Sequence, residues 1–92
     1  MYKALVCCRA GMGSSMLLKI KVDQVIGENN FPIETEHGNL DSLIGFNGDL
    51  VITMEDLSEE LSGQVPYALG IRNIVDKVEM KEKLEKFLAT KN

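Results

Sequence analysis

Tyr2 to Cys8 is a near-continuous apolar run, the pattern of a parallel strand covered on both faces. Gly11 and Gly13 break it. From Ser14 to about Glu28 the spacing predicts a helix. Leu18, Val22, Val25 and Ile26 form one apolar line, and Met16, Leu17, Ile20 and Gln24 lie along another side. Together they predict a broad apolar face, ended by Gly27 and Asn29-Asn30. Phe31, Ile33 and Thr35 alternate with Pro32, Glu34 and Glu36, which predicts a short strand over 32–36. Its acidity suits a sheet edge. Residues 37–48 are less regular and predict a short helix near Leu40 to Ile44, capped by Asn39 or Asp41. Asp49 to Thr53 reads as a buried strand. Met54 to Ser62 is polar and acidic and reads as a loop or a single helical turn. Val65 to Leu69, between Gly63 and Gly70, reads as a fourth strand. Val78 to Ala89 predicts an amphipathic helix with Met80, Leu84, Phe87 and Leu88 inward. Glu79/Lys83 and Glu82/Lys86 are its i,i+4 pairs.

The order β-α-β-(α)-β-(α)-β-α predicts an α/β fold, a four-stranded parallel sheet with helices on both faces. Right-handed crossovers leave few topologies. Strand order 2-1-3-4 places the first strand centrally, with the switch point at its carboxyl end, where Cys8 lies. The 92 residues suffice for one domain, 1–92, with one modest core. No stretch approaches the ~20 apolar residues of a membrane span, and no signal peptide is visible, so a cytoplasmic chain is expected. Cys7 and Cys8 are adjacent. A bridge between sequence neighbours is strained, and reduced thiols fit that compartment. His37 is the single histidine and no metal-ligand spacing occurs, so no metal is expected.

The net charge of −4 argues against a nucleic-acid partner. Residues 1–27 carry Lys3, Arg9, Lys19 and Lys21 against Asp23 alone. Residues 28–60 carry nine acids and no Lys or Arg, and residues 61–92 carry six bases and four acids. The thiol-bearing segment is therefore locally basic. It reads either as a solvated helix face or as a docking rim, with Lys19 and Lys21, for an acidic, phosphorylated partner.

Cys8-Arg9-Ala10-Gly11-Met12-Gly13-Ser14-Ser15 puts a thiol where a buried strand ends, before a glycine-rich turn and a helix start. Backbone N–H groups of such a turn converge, and the positive helix end favours an anion. The same field lowers a thiol's pKa and favours the nucleophilic thiolate. A thiol beside a phosphate cradle points to a phosphocysteine. Gly11-Met12-Gly13 lacks the third glycine of a dinucleotide fingerprint, and no Lys follows Gly13, which excludes a P-loop. The phosphatase pattern Cys-x5-Arg is absent as well. Counting from Cys8 the arginine position holds Ser14, and from Cys7 it holds Gly13. Without that arginine hydrolysis lacks a main electrophile, which favours a carrier over a phosphatase.

Cys8 is the candidate nucleophile, and Cys7 reads as a small buried hydrophobe. Ser14 and Ser15 suit both helix capping and phosphoryl contact. Arg9 reads as solvent-facing or as an attractor of phosphate. Met12 is either an adaptable partner contact or a locally packed loop residue. Thr53 ends the third strand and reads either as a plain polar strand end or as a residue pointing towards the same crevice. His37 reads as a surface residue, and Asp56, Glu59 and Glu60 as a solvated acidic loop. For Arg72, a salt bridge to the acidic segment and an approach to the site both stay open.

Cys8-x-x-Gly11-x-Gly13-Ser14-Ser15-Met16, with Lys19-x-Lys21-Val22-Asp23-Gln24 and Gly70-Ile71-Arg72-Asn73, resembles the enzyme IIB component of the bacterial phosphoenolpyruvate-dependent sugar phosphotransferase system, of the ascorbate type with lactose- and galactitol-type relatives. The resemblance implies a Rossmann-like sheet similar to low-molecular-weight tyrosine phosphatases. It implies a cysteine that takes phosphate from a phosphohistidine of a IIA protein. The phosphate then passes to a sugar, ascorbate by this resemblance, held by a membrane IIC transporter. The acceptor maps onto Cys8 and the phosphate loop onto Arg9, Ala10, Gly11, Met12, Gly13, Ser14 and Ser15. No cofactor, metal or nucleic acid is implied. Arg9 stands where relatives often carry glycine, which changes loop flexibility, and Cys7 adds an oxidation liability. The alternatives are a small cysteine-dependent phosphatase or arsenate reductase of similar fold, and a non-catalytic regulatory domain.

Overall fold

The computed structural model describes residues 1–7, 12–38 and 46–91, the side chains of 12–15 excepted. The short helix expected near Leu40 to Ile44, with its caps Asn39 and Asp41, lies outside the described residues. The elements are β1 (Tyr2–Val6), α1 (Met12–Asn29), β2 (Ile33–His37), β3 (Leu50–Met54), α2 (Glu55–Leu61), β4 (Ala68–Ile71) and α3 (Lys77–Ala89). The four strands form one sheet of order β2-β1-β3-β4, and all three pairings are parallel. This is the 2-1-3-4 order that the pattern predicts, with β2 at an edge.

Alternation along the strands divides the core into two layers. Ala4, Val6, Leu50, Ile52, Leu69 and Ile71 face Leu18, Val22 and Val25 of α1 and Met80, Leu84 and Phe87 of α3. Leu5, Cys7 and Val51 face Leu57 and Leu61 of α2. Helices therefore cover both faces, as expected. Asp23 ties α1 to the edge strand: it accepts a hydrogen bond from Thr35 on β2 and pairs with Lys19 at 2.7 Å.

Four local expectations need correction. The apolar face of α1 is narrower than its composition suggests, because Met16, Leu17 and Ile20 are 52%, 41% and 50% exposed. At about 100° per residue, Met16 and Ile20 lie on the side of the helix away from Leu18. Gly27 does not end α1 but lies inside it. The stop is Asn30, at φ 54°, followed by a Phe31 N–H bond to the Ile26 carbonyl at 3.1 Å, the 6→1 bond of a Schellman motif. Residues 55–61 form a true helix, with Leu57 and Leu61 buried one turn apart. The fourth strand starts at Ala68 instead of Val65. Val65 makes only an isolated bridge to Ser62, and Pro66 has no N–H to give to a ladder.

Candidate functional site

With all strands parallel, β1, β3 and β4 deliver their carboxyl ends to one edge of the sheet. From β1 the chain crosses through α1 to β2 on one side; from β3 it crosses through α2 to β4 on the other. The crevice between β1 and β3 is the topological switch point of the sheet. Cys7 extends the β1 ladder into this edge, its N–H bonded to the Ile52 carbonyl at 3.1 Å. Its side chain is fully buried under α2, the placement expected of a core residue.

Cys8, Arg9, Ala10 and Gly11 lie outside the described residues. Met12, Gly13, Ser14 and Ser15 form the first turn of α1, so the helix begins two residues before the expected start near Ser14. Met12 and Gly13 are helical and not part of the turn. Backbone N–H groups at a helix start have no intrahelical acceptor, and no acidic residue occupies this first turn. That end of α1 therefore presents donors and positive potential to an anion.

Across the switch point stands Thr53, fully buried, whose Oγ1 has no hydrogen-bond partner among the described residues. Beyond it, Gly70 allows α2 to approach β4. A Cβ there would collide with the Ser58 hydroxyl and lie 2.9 Å from the Glu55 Cα. Arg72, just past β4, donates from Nε to Glu55 Oε2 at 2.8 Å, with its side chain 76% exposed. Of the two roles open to Arg72, the described contacts give the salt bridge to the acidic segment.

Glu79 organises the end of β4. Its carboxylate accepts from the backbone N–H groups of Arg72 and Asn73 at 2.8 and 3.0 Å and from Lys83 at 2.7 Å. Burial pushes this carboxyl's pKa up. The Lys83 hydrogen bond, the two backbone donors and the Lys83 charge outweigh that effect and hold it below its ordinary 4.5. Lys83 also donates to the Gly70 carbonyl on the outer edge of β4. Sequence spacing foretells the Glu79–Lys83 pair but not its backbone partners, which only the tertiary fold supplies.

His37 ends β2 opposite Val6 and is half-buried, not fully at the surface as expected. Asp56, Glu59 and Glu60 lie on the exposed side of α2. Among the described residues no group of His, Cys, Asp or Glu is arranged to hold a metal ion, and no helix is long and apolar enough to cross a membrane.

A doubly wound parallel sheet with an acid-free helix start at its switch point defines a class of α/β proteins that take anionic ligands over the strand carboxyl ends. A family model described as "PTS system, Lactose/Cellobiose specific IIB subunit" matches residues 3–86, and the chain belongs to this IIB family of the sugar phosphotransferase system. It is 30% identical over 87 residues to the "Ascorbate-specific PTS system EIIB component" of Mycoplasma pneumoniae, covering 91% of this chain and 92% of that one. The lactose-specific IIB domain of Streptococcus pneumoniae superposes with a TM-score of 0.61 at 18% identity, covering 96% of this chain and 95% of that one. That likeness establishes the phosphatase-like Rossmann fold. Membership of the family brings phosphotransferase activity, and IIA and IIC components as partners, in general terms.

Proposed function

We propose that the chain is a phosphoryl carrier, residues 1–92 acting as one EIIB domain in the cytoplasm, with Cys8 as acceptor. The Cys8 thiolate attacks the phosphorus of a phosphohistidine on the IIA protein. An S–P bond forms as the P–N bond breaks, and the histidine nitrogen leaves with the electron pair. The backbone N–H groups of Arg9, Ala10, Gly11, Met12, Gly13, Ser14 and Ser15, with the two serine hydroxyls, hold the equatorial oxygens, and the α1 start stabilises the charge. In the second step a sugar hydroxyl, on a substrate held by the IIC transporter, attacks the same phosphorus. The S–P bond breaks, the thiolate is restored, and the hydroxyl proton passes to a base at the sugar site. The name of the Mycoplasma relative makes ascorbate the sugar of choice.

One observation carries this reading: the first turn of α1, free of acidic residues, opens at the switch point within a few residues of Cys8. The test is intact mass after incubation with phosphoenolpyruvate, the two general phosphotransferase proteins and a cognate IIA. Wild type and Cys7→Ser should each gain one phosphoryl group, and Cys8→Ser none. Wild type without an adduct, in the presence of phosphorylated IIA, rules the carrier role out. Hydrolysis of an aryl phosphate by the same sample would instead support the phosphatase alternative.

A further inference from the structure

The two residues that follow β4 are held more firmly than an exposed turn requires. Glu79, on the first turn of α3, accepts from the N–H groups of Arg72 and Asn73 at 2.8 and 3.0 Å. The Arg72 side chain is fixed separately, its Nε donating to Glu55 Oε2 at 2.8 Å. Met54 pairs with Ile71, so Glu55 and Arg72 stand in the next row, just past β3 and β4. The guanidinium thus turns from β4 towards β3, the strand that borders the switch point, and remains 76% exposed. With Asn73, Asp76, Glu79 and Lys83 these two residues line an open hollow of about 540 Å³. Its polar groups are unevenly used. Glu55 is taken by Arg72, Glu79 by three donors, and Asp76 by the N–H groups of Val78 and Glu79. Lys83 serves the Gly70 carbonyl and Glu79. The Asn73 Oδ1 accepts from the Val75 N–H at 3.1 Å. The Arg72 Nη groups and the Asn73 side-chain amide N–H groups have no partner among the described residues. What the hollow has to spare is therefore donors, grouped around a planar fork that matches a carboxylate.

We propose that Arg72, with the Asn73 amide beside it, is a docking point for a surface carboxylate of the phosphoryl donor, the IIA protein. The inference rests on the carrier reading above. β4 lies two strands from β1, about 10 Å at 4.8 Å per strand. A donor that reaches the switch point and covers a standard footprint of about 800 Å² therefore covers Arg72 as well. The donor arrives with a negative phosphoryl group, and a fixed positive charge beside the switch point steers such a partner in. Glu55 need not be displaced, because it occupies Nε and leaves both Nη groups to the incoming carboxylate. Arg72 so placed acts on docking and not on the chemical step.

The experiment compares the full chain as wild type, Arg72→Ala, Arg72→Lys and Lys81→Ala, the last removing an equal charge from an exposed position outside the hollow. Two sets of quantities are read: the Kd for unphosphorylated IIA, and KM and kcat for phosphate transfer from phosphorylated IIA. Arg72→Ala should raise Kd and KM about tenfold, which corresponds to about 1.4 kcal/mol. Its kcat should stay within about twofold of wild type, the signature of a contact made equally in ground and transition states. Arg72→Lys should recover only part of the loss, because an ammonium lacks the fork. Lys81→Ala should match wild type. Arg72→Gln repeats the charge removal with a longer side chain, should alanine perturb the end of β4. Kd and KM within about twofold of wild type in both charge removals overturn the inference. So does an equal loss in Lys81→Ala, which reduces the effect to net charge. Weakening seen only with phosphorylated IIA also overturns it, because the guanidinium then meets the phosphoryl group and not a carboxylate. If wild type accepts no phosphate, the carrier reading fails and this inference falls with it. If wild type accepts it and the Arg72 variants behave like wild type, this inference alone is lost.

Discussion

At the scale of single residues, Glu79 holds together the end of β4, the Arg72–Asn73 turn and the first turn of α3. Its side chain is 13% exposed, and three donors from two elements converge on it. Its folded pKa lies below the ordinary 4.5. The stabilisation from the ionised form is thus fully present above that ordinary value and is lost as pH falls through the lowered folded one. Glu79→Gln should cost about 1–3 kcal/mol at neutral pH, the range for disturbing hydrogen bonds to a largely buried charge. The gap between variant and wild type should narrow once the pH drops below 4.5. Urea midpoints for both proteins across that range would show it, and a gap independent of pH would remove the charge from the explanation. Two residue-scale expectations follow from chemistry that sequence displays: the buried Cys7, and the Glu79–Lys83 pair fixed by helical spacing. The bond from Arg72 to Glu55 is not of that kind. The two are 17 positions apart, and only the packing of α2 against β4, permitted by Gly70, brings them together.

At the scale of elements, the errors in reading the chain share a cause. A helix read from composition alone looks amphipathic in proportion to its apolar content, but a sheet covers only the stripe turned towards it. In α1 that stripe is Leu18, Val22 and Val25, with Ile26 packed at its border. In α2 the reverse holds. Acidic residues dominate the segment, and two leucines one turn apart suffice to seat it on Leu5, Cys7 and Val51. Leu18→Ala and Ile20→Ala separate the two readings of α1. Leu18 is fully buried and should lose about 2–5 kcal/mol on truncation, whereas half-exposed Ile20 should stay within about 1 kcal/mol of wild type, as surface substitutions do. Equal losses measured by chemical denaturation would mean that α1 is buried on both lines.

At the scale of the whole molecule, the strand order was legible because few arrangements satisfy alternating strands and helices with right-handed crossovers. The edge where the candidate site is expected was legible for the same reason, since that order fixes the crevice between β1 and β3 and sets the start of α1 beside the carboxyl end of β1. The full burial of Thr53 and the closing of the sheet's other end were not legible, since both depend on residues distant in sequence. That other end is sealed by Phe87. Its ring meets Tyr2 edge-on at 5.5 Å and Tyr67 at 5.0 Å, while Lys91 sits over it at 5.6 Å. Tyr2 opens β1, and the Tyr67 carbonyl accepts from the N–H of Val51 on β3. One side chain of α3 thus joins β1, the approach to β4 and the chain's last residues. Phe87 is fully buried, and Phe87→Ala should cost about 3–5 kcal/mol, a large share of the ~5–15 kcal/mol that holds a domain together. Because α1 and α3 share that core layer, the loss should appear as an earlier single transition and not as fraying of α3 alone. Tyrosine fluorescence and far-ultraviolet circular dichroism should then report the same midpoint. Separate midpoints would show that α3 detaches while the sheet and α1 persist.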